Sequence, residues 1–289
     1  MNRIAVVGDS LGKKVSKYLG VSFFRVFERE FPDTEIQPRI ENEVNVKKAI
    51  LILRKKRRER INDYIVKFFL ISRKLKENCK KVIGVIPYLP YARQDKVFRK
   101  GEPLSNKYIA ELLEKNLDSI ITVSPHEHRT KISDIFSKRL HKISGFKILS
   151  EFFKEKEIDF VLGPDEESLQ YLEEFCENLK IPFDYWEKKR DVSSGKIKIF
   201  QKKLEAKNLV IVDDIISTGK TIYEVGRKIR RKVKNLYIAS VHGVFSSNSI
   251  NILRKLRPKE IVCTDTIENP FEKISTAKDI AITLKRFEI

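Results

Sequence analysis

Two aspartates and a hydroxyl-rich loop follow a short apolar run in the second half of the chain. Residues 209–212 (LVIV) are typical of a buried strand, and Asp213 and Asp214 come directly after them. The next polar positions precede an amphipathic stretch that predicts a helix: Ser217, Thr218, Gly219, Lys220 and Thr221. Backbone N–H groups and hydroxyls at the start of a helix bind phosphate, and paired carboxylates suit the vicinal diol of a sugar ring. The pattern predicts a site for a sugar phosphate.

Two other interpretations fit parts of this loop. Gly219, Lys220 and Thr221 have the spacing that ends a Walker A motif, but that motif needs a glycine where this chain has Asp214. An Asp-rich turn that only caps a helix would leave two neighbouring carboxylates without a role. The sugar-phosphate interpretation accounts for all of these residues.

Residues 213–221 resemble the phosphoribosyl-binding motif of the phosphoribosyltransferase superfamily, in which two acidic residues precede a Thr-Gly-x-Thr-type loop. The resemblance implies that Asp213, Asp214 and residues 217–221 bind ribose 5-phosphate. Two kinds of enzyme share this motif: transferases that consume phosphoribosyl diphosphate, and the synthetase that makes it.

Residues 86–98 (IPYLPYARQDKVF) follow a predicted strand and are similar to the ATP-binding segment of ribose-phosphate diphosphokinases. The resemblance implies that Arg93 faces the ATP phosphates and that Gln94 and Asp95 position the nucleotide. Arginine presents a planar fork of donors that matches phosphate. This segment favours the synthetase, because a transferase has no use for it.

Residues 31–35 (FPDTE) resemble the FPDGE segment of the same family, with Thr34 in place of glycine. In the family this loop reaches the adenine of ATP bound on a neighbouring subunit. The resemblance implies that Phe31 stacks on the base and that Asp33 and Glu35 hydrogen-bond to it. A dimer or larger assembly with a shared ATP site is therefore expected.

Residues 186–190 (WEKKR) resemble the flexible catalytic loop of the family, with its Lys-x-Arg pair. The resemblance implies that Lys188 and Arg190 close over the triphosphate. Phosphoryl-type transfer depends on positioning and on neutralising developing charge, so no covalent nucleophile is required.

Residues 124–128 (SPHEH) resemble a magnesium-binding segment of the family. His126 matches the family's histidine, and Ser124 stands where an aspartate is usual. The resemblance implies a Mg²⁺ ion near His126. A zinc site at His126 and His128 would lack a third ligand.

Residues 163–168 (GPDEES) align with the family's diphosphate loop, commonly Pro-Asp-x-Gly-Gly. Asp165 is retained and is implied as a magnesium ligand, a role that carboxylates suit. Glu167 and Ser168 replace the glycines that allow a backbone to approach an anion closely. These departures put the diphosphate contacts in question.

Composition sets the remaining limits. The 289 residues carry a net charge of +19, and 34% of them are charged. Since no nucleic-acid recognition module accompanies the basic runs, the charge suits polyphosphate substrates, and no nucleic-acid partner is expected. No apolar stretch is long enough to cross a bilayer, and the N-terminus lacks a secretory pattern. We expect a cytoplasmic protein with no membrane partner, whose three separated cysteines are free thiols.

Short β-branched runs alternate with amphipathic stretches along the whole chain, which predicts an α/β fold with mainly parallel sheets flanked by helices. The resemblance implies two phosphoribosyltransferase-type domains, an ATP-binding domain over residues 1–138 and a ribose-5-phosphate-binding domain over residues 139–289. The last helix could pack back on the first domain.

The motifs together predict a ribose-phosphate diphosphokinase that uses Mg²⁺. Such an enzyme transfers the diphosphoryl group of ATP to the C1 hydroxyl of ribose 5-phosphate and releases AMP. A non-catalytic regulatory subunit of a synthetase and a phosphoribosyltransferase remain as alternatives. A nucleic-acid-binding protein would explain the charge but none of the motifs.

Overall fold

The computed structural model describes residues 4–127, 130–190, 197–200, 206–246 and 248–289, with side chains throughout except at 187–190 and 197–200. Helices and strands alternate through these ranges, in the following order: β1 (Ile4–Gly8), α1 (Ser10–Leu19), β2 (Ser22–Glu30), β3 (Ile36–Ile40), β4 (Lys48–Ile52), α2 (Ile61–Asn78), β5 (Lys81–Ile86), α3 (Ser105–Glu114), β6 (Ser119–Val123), β7 (Arg139–Ile143), α4 (Gly145–Glu151), β8 (Phe160–Gly163), α5 (Leu169–Cys176), β9 (Phe183–Tyr185), β10 (Glu187–Arg190), β11 (Ile197–Phe200), β12 (Asn208–Ile216), α6 (Lys220–Ile229), β13 (Asn235–Gly243), α7 (Ser249–Arg254), β14 (Glu260–Thr264), β15 (Glu272–Ile274) and α8 (Ala277–Phe287). None of these described helices is both long enough and apolar enough to cross a bilayer.

Two compact units make up the chain. One contains Met1–Ile143, Thr266–Glu268 and Thr276–Ile289, and the other contains Ser144–Asp265 and Asn269–Ser275. The division thus falls after Ile143, five residues beyond the end of the domain predicted from the sequence, because β7 pairs with β6. The final helix, α8, belongs to the first unit.

The first unit is built on a seven-stranded sheet with the order β3-β2-β1-β4-β5-β6-β7. Only β3 runs antiparallel to its neighbour, β2. The central strands are nearly continuous runs of buried Val, Ile, Leu and Ala, as expected where helices cover both faces of a parallel sheet. The largest buried side chains beside them come from α2, including Tyr64 and Phe68.

A ribbon projects from this sheet beyond the end of β1. Pairing of β1 with β2 stops at Gly8 and Arg25, and from Val26 to Glu30 the strand β2 pairs with β3 alone. Five further residues correspond to about 16 Å of strand. Residues 31–35 form the tip of this ribbon, on the side of the sheet where its parallel strands end.

The second unit is built on a six-stranded parallel sheet with the order β15-β14-β13-β12-β8-β9. Its core comes from β12, β13 and α6, whose apolar positions are fully buried. The strands β10 and β11 form a separate antiparallel hairpin. Both units therefore confirm the predicted α/β class with mainly parallel sheets.

The last residues of the chain are anchored to the first sheet by contacts to the starts of β4 and β5 and to β7. The buried carboxylate of Glu288 accepts from Lys81 Nζ at 2.6 Å and lies 3.2 Å from His141 Nε2, and Lys48 donates to the Glu288 carbonyl. Burial alone would raise the pKa of Glu288, but Lys81 and His141 hold it below its usual value of 4.5. The carboxylate therefore stabilises the fold in its charged form.

Glu288→Gln keeps the shape of this side chain and removes its charge. We expect the free energy of unfolding at pH 7 to fall by about 2 kcal/mol in a urea titration followed by circular dichroism. Since the folded pKa is lowered, the loss should be complete above about pH 5 and shrink as the pH falls through that pKa. Glu77→Gln is the matched control, because the exposed Glu77 carboxylate pairs with Lys74 on the surface. Equal losses in the two variants would show that Glu288 is not an anchor.

Candidate functional site

The loop that joins β12 to α6 is held by a glycine and by a neighbouring loop. Gly219 has a φ of +71°, and a Cβ atom there would lie 3.1 Å from Leu253 Cγ, so a larger residue would be strained. Ser217 Oγ lies 3.1 Å from Ser246 Oγ, and Ser246 N donates to Ser217 O at 3.1 Å. Thr218, Lys220 and Thr221 are exposed around the start of α6. These contacts fix the loop at the start of α6, where the sequence predicts phosphate binding.

Asp213 and Asp214 lie inside β12, which extends four residues beyond the end of the predicted strand. Both side chains are half-buried. Tyr171 Oη donates to Asp213 Oδ1 at 3.2 Å, and Asp214 N donates to the same oxygen at 2.9 Å. Burial and then repulsion from Asp214 and Asp165 raise the pKa of Asp213 well above its usual value. The aspartates of β12 therefore share one electrostatic environment with Asp165.

A capped turn holds Asp165 just after β8. Asp165 N donates to Ser168 Oγ at 3.2 Å, Ser168 Oγ donates to Asp165 Oδ1 at 3.3 Å, and Ser168 N donates to Asp165 O at 3.1 Å. Ser168 is fully buried, and a Cβ atom on Gly163 would lie 2.3 Å from Ser168 Cβ. The serine that replaces a family glycine is thus the side chain that closes the turn, while Glu167 is exposed.

Tyr171 is the residue that the sequence reasoning missed. It lies on α5, its ring stacks on Phe146 with centroids 4.5 Å apart, and its hydroxyl reaches Asp213 across the unit. Burial is the main cause that raises the pKa of this hydroxyl, so it remains a donor. The sequence holds no local signal for this contact, because Tyr171 and Asp213 are 42 residues apart.

Oxygen ligands suitable for a divalent cation meet at this edge. Asp165, Asp213 and Asp214 are mutually repelling carboxylates, and Mg²⁺ prefers such hard oxygen donors together with phosphate. The chemistry of these side chains suits the ion. Even so, the described residues contain no group of three or more His, Cys, Asp or Glu side chains already arranged to hold a metal. The other predicted ligand, His126, is half-buried in the first unit, in the loop after β6.

The predicted ATP segment follows β5 in the first unit. Tyr91 has a φ of +60°, and Gln94 N donates to Tyr91 O at 2.9 Å, which turns the chain sharply. Arg93 and Gln94 are exposed, whereas Asp95 is 8% exposed. The guanidinium of Arg93 is thus accessible to an anionic ligand.

Residues 31–35 form a tight turn at the tip of the ribbon. Phe31 N donates to Glu35 O at 2.8 Å, and Thr34 has a φ of +74°, the conformation that favours the glycine usual in the family. Phe31 is half-buried under the Arg29 guanidinium, 4.8 Å from the ring centroid. Asp33 and Glu35 are exposed.

A buried ion cluster ties the ribbon to α2. Lys67 is only 2% exposed, and its Nζ lies 3.0 Å from Glu28 Oε2 and also contacts Glu59. Lys56 Nζ lies 3.2 Å from the other oxygen of Glu28. Burial would raise the pKa of Glu28, but Lys67 and Lys56 hold it below its usual value. The position of the ribbon therefore depends on a charged contact to the body of the unit.

The predicted catalytic pair, Lys188 and Arg190, lies on β10. Their side chains fall outside the described part of the structure, so their roles stay predictions. The backbone locates the hairpin, because Trp186 N donates to Gly163 O at 2.9 Å immediately before β10. The strand that carries the pair therefore starts beside the turn that carries Asp165.

Comparison with known proteins identifies the family. A family model described as the N-terminal domain of ribose phosphate pyrophosphokinase matches residues 7–116, and one described as the phosphoribosyl transferase domain matches residues 130–249. A ribose-phosphate pyrophosphokinase of Methanopyrus kandleri is 32% identical over 280 residues, which cover 95% of this chain and 94% of the relative. The chain belongs to the ribose-phosphate pyrophosphokinase family.

Other members of the ribose-phosphate pyrophosphokinase family match over similar lengths. Ribose-phosphate pyrophosphokinase 2 of Archaeoglobus fulgidus is 32% identical over 274 residues, covering 94% of this chain and 95% of the relative. The crystal structure of phosphoribosylpyrophosphate synthetase from Mycobacterium smegmatis matches with a TM-score of 0.82 at 24% identity and covers 98% of each chain. The predicted fold, with two phosphoribosyltransferase-type units, is confirmed.

The contribution of the Ser168 hydroxyl to the capped turn can be tested by mutation. Ser168→Ala keeps the Cβ atom against Gly163 and removes the hydroxyl that bonds to Asp165. We expect the free energy of unfolding to fall by about 1 kcal/mol in a urea titration. Ser133→Ala is the control, because the Ser133 hydroxyl makes an exposed contact with Asp134 and its loss should change little. An unchanged Ser168→Ala protein would mean that the cap does not hold the turn.

Proposed function

We propose that this protein is a ribose-phosphate diphosphokinase. It transfers the diphosphoryl group of ATP to ribose 5-phosphate, giving phosphoribosyl diphosphate and AMP. The observation that carries the proposal is the position of two carboxylates in β12, just before the loop that begins α6, in a chain that belongs to the ribose-phosphate pyrophosphokinase family over nearly its whole length.

Ribose 5-phosphate is bound by the β12–α6 loop in this proposal. The 5-phosphate accepts hydrogen bonds from backbone N–H groups and hydroxyls of residues 217–221 at the start of α6. Asp213 and Asp214 accept hydrogen bonds from the ribose hydroxyls. Tyr171 fixes the rotamer of Asp213, so that the carboxylate meets the sugar in one orientation.

ATP is bound by the first unit. Arg93 contacts the phosphates through its planar fork of donors, and Gln94 and Asp95 position the nucleotide. Phe31, Asp33 and Glu35 hold adenine. The position of these residues supports this role, because they lie at the tip of a ribbon that projects beyond the sheet. On this proposal the tip serves a neighbouring subunit, and the active protein is a dimer or larger.

The reaction is a single displacement. The C1 hydroxyl oxygen of ribose 5-phosphate bonds to the β-phosphorus of ATP as the bond from that phosphorus to the oxygen of the α-phosphate breaks. Lys188 and Arg190 neutralise the charge that builds on the transferred group. Asp165 in the second unit and His126 in the first would each serve as a ligand of Mg²⁺, which when bound neutralises phosphate oxygens.

One alternative is favoured by a specific observation. The turn at Asp165 is closed by Ser168 and carries the exposed carboxylate of Glu167, where the family commonly has glycines. A regulatory subunit without turnover would tolerate such a turn. A phosphoribosyltransferase shares the ribose loop but gains nothing from Arg93, Gln94 and Asp95.

Turnover separates these functions directly. The purified protein, incubated with ATP, Mg²⁺ and ribose 5-phosphate, is expected to form AMP and phosphoribosyl diphosphate in equal amounts. Lys188→Ala should lower kcat by about 100-fold or more, while Lys189→Ala, one position along the same strand, should retain most of it. If wild-type protein forms neither product across pH and temperature, the diphosphokinase proposal fails.

Tyr171→Phe tests how the sugar is held. The variant keeps the ring on Phe146 and loses the hydrogen bond to Asp213, so KM for ribose 5-phosphate should rise about 10-fold while KM for ATP and kcat stay within about 2-fold. Tyr237→Phe is the matched control, because Tyr237 is a buried tyrosine of the same unit that packs against Phe153. A fall in kcat alone would contradict this role.

A further inference from the structure

Positive charge is concentrated in one part of the second unit. Residues 220–259 contain eleven Lys and Arg and a single acidic residue, Glu224, so these 40 residues carry a net charge of 11 − 1 = +10 out of +19 for the chain. Apart from Lys220, at the start of α6, the basic residues fall in two groups, at 227–234 and 254–259. We call these two groups, together with Lys207, the basic edge.

The fold brings the two groups side by side. Residues 227–234 end α6 and lead into β13, and residues 254–259 end α7 and lead into β14. The guanidinium of Arg230 joins them, because its Nε donates to Leu256 O at 2.7 Å and its Nη1 donates to Val233 O at 3.1 Å. The basic edge is therefore a fixed surface of the unit.

Three lysines stand directly before three neighbouring strands of this edge. Lys207, Lys234 and Lys259 precede β12, β13 and β14. Lys234 N donates to Lys207 O at 2.8 Å, so the first two positions are adjacent. Since neighbouring strands lie about 4.8 Å apart, the three form a short row of cations.

Two carboxylates near the basic edge are paired with cations, and a third, Asp159, accepts hydrogen bonds from the backbone N–H groups of Lys207 and Asn208. Glu224 pairs with Arg227 at 2.7 Å, and Glu260 is shared by Lys156 and Lys273 at 3.8 and 3.6 Å. Burial and then repulsion from Arg227 lower the pKa of Lys228. The surface as a whole keeps an excess of positive charge.

Neither the substrates nor the helix dipoles account for this charge. The nine residues of β12 place the ribose-phosphate loop about 26 Å from the edge where the strand begins, or about three screening lengths at physiological salt. Cations in the last turn of a helix favour its dipole, but this covers only Arg227, Lys228 and Arg254. The other cations lie beyond the helix ends.

We propose that the basic edge binds the phosphate backbone of double-stranded nucleic acid, without selecting a sequence. Such binding needs clustered cations and no recognition module, so it is compatible with the lack of one in the sequence. It goes beyond the diphosphokinase activity and does not depend on it.

The lack of exposed large apolar side chains among the described residues near the basic edge favours a duplex over a single strand or a membrane surface. Within the described residues of the second unit, no large hydrophobic side chain is exposed. Proteins that bind single strands add aromatic stacking to charge, and interfacial helices insert an apolar face into the membrane beside basic groups. A duplex, whose bases are already stacked and whose phosphates are outside, requires neither.

The test measures binding of the full chain to a labelled 20-base-pair duplex of arbitrary sequence by fluorescence anisotropy over a range of salt. Wild-type protein is expected to bind with a Kd of about 10⁻⁴ to 10⁻⁶ M at physiological salt, and the affinity should fall steeply as salt rises. The variant Arg231→Gln/Lys232→Gln/Arg254→Gln/Lys255→Gln should weaken binding about 10-fold or more and reduce the log–log salt slope by about 1 for each phosphate contact removed.

The matched control removes four exposed lysines elsewhere: Lys13→Gln/Lys17→Gln/Lys278→Gln/Lys285→Gln on α1 and α8. It should bind the duplex as wild type does, and both variants should keep circular dichroism and turnover. If the first variant does not fold, Arg231→Gln/Arg254→Gln replaces it, with a slope change of about 2. No binding at about 50 mM salt, an equal loss in the control, or tighter binding to single strands or to phosphatidylserine–phosphatidylcholine vesicles would overturn the proposal.

Discussion

Repulsion among three carboxylates at the ends of β8 and β12 is the constraint around which the second unit is arranged. Repulsion favours the separation of Asp165, Asp213 and Asp214, and together with burial it raises the pKa of Asp213. The capped turn at Ser168 fixes the first, and the Tyr171 hydroxyl fixes the second. The unit thus holds three carboxylates in fixed positions just before the loop at the start of α6, for which we propose phosphate binding.

Much of this could be predicted from local sequence, because the chemistry of each motif is carried by neighbouring residues. The loop at 213–221 needs only a strand, two acids, hydroxyls and a glycine in order, and Gly219 does adopt the left-handed conformation that such a loop requires. The alternation of apolar runs with amphipathic stretches likewise predicted the parallel sheets. Family resemblance supplied the role of Arg93, which no spacing alone could have given.

The rest depends on contacts between distant residues, which a sequence pattern does not contain. The strand β12 continues through Asp213 to Ile216 because β13 pairs with it up to Gly243. Tyr171 is 42 residues from the aspartate it holds. In the sequence, Ser168 is only a replacement for a family glycine. The structure explains the serine, because its hydroxyl closes the turn at Asp165. The role of Arg230 is also visible only in the structure, because its guanidinium donates to Leu256 O and Val233 O and so joins two basic turns.

The return of α8 to the first unit has a consequence for how the chain folds as it leaves the ribosome. The second unit ends at Ser275, and the first is finished only by Thr276–Ile289. Synthesis therefore completes the second unit before the last helix of the first unit is made. Glu288 follows Lys81 by 207 residues and His141 by 147 residues. The unit that begins first along the sequence is therefore completed after the other, and removal of α8 would damage the unit whose synthesis started first.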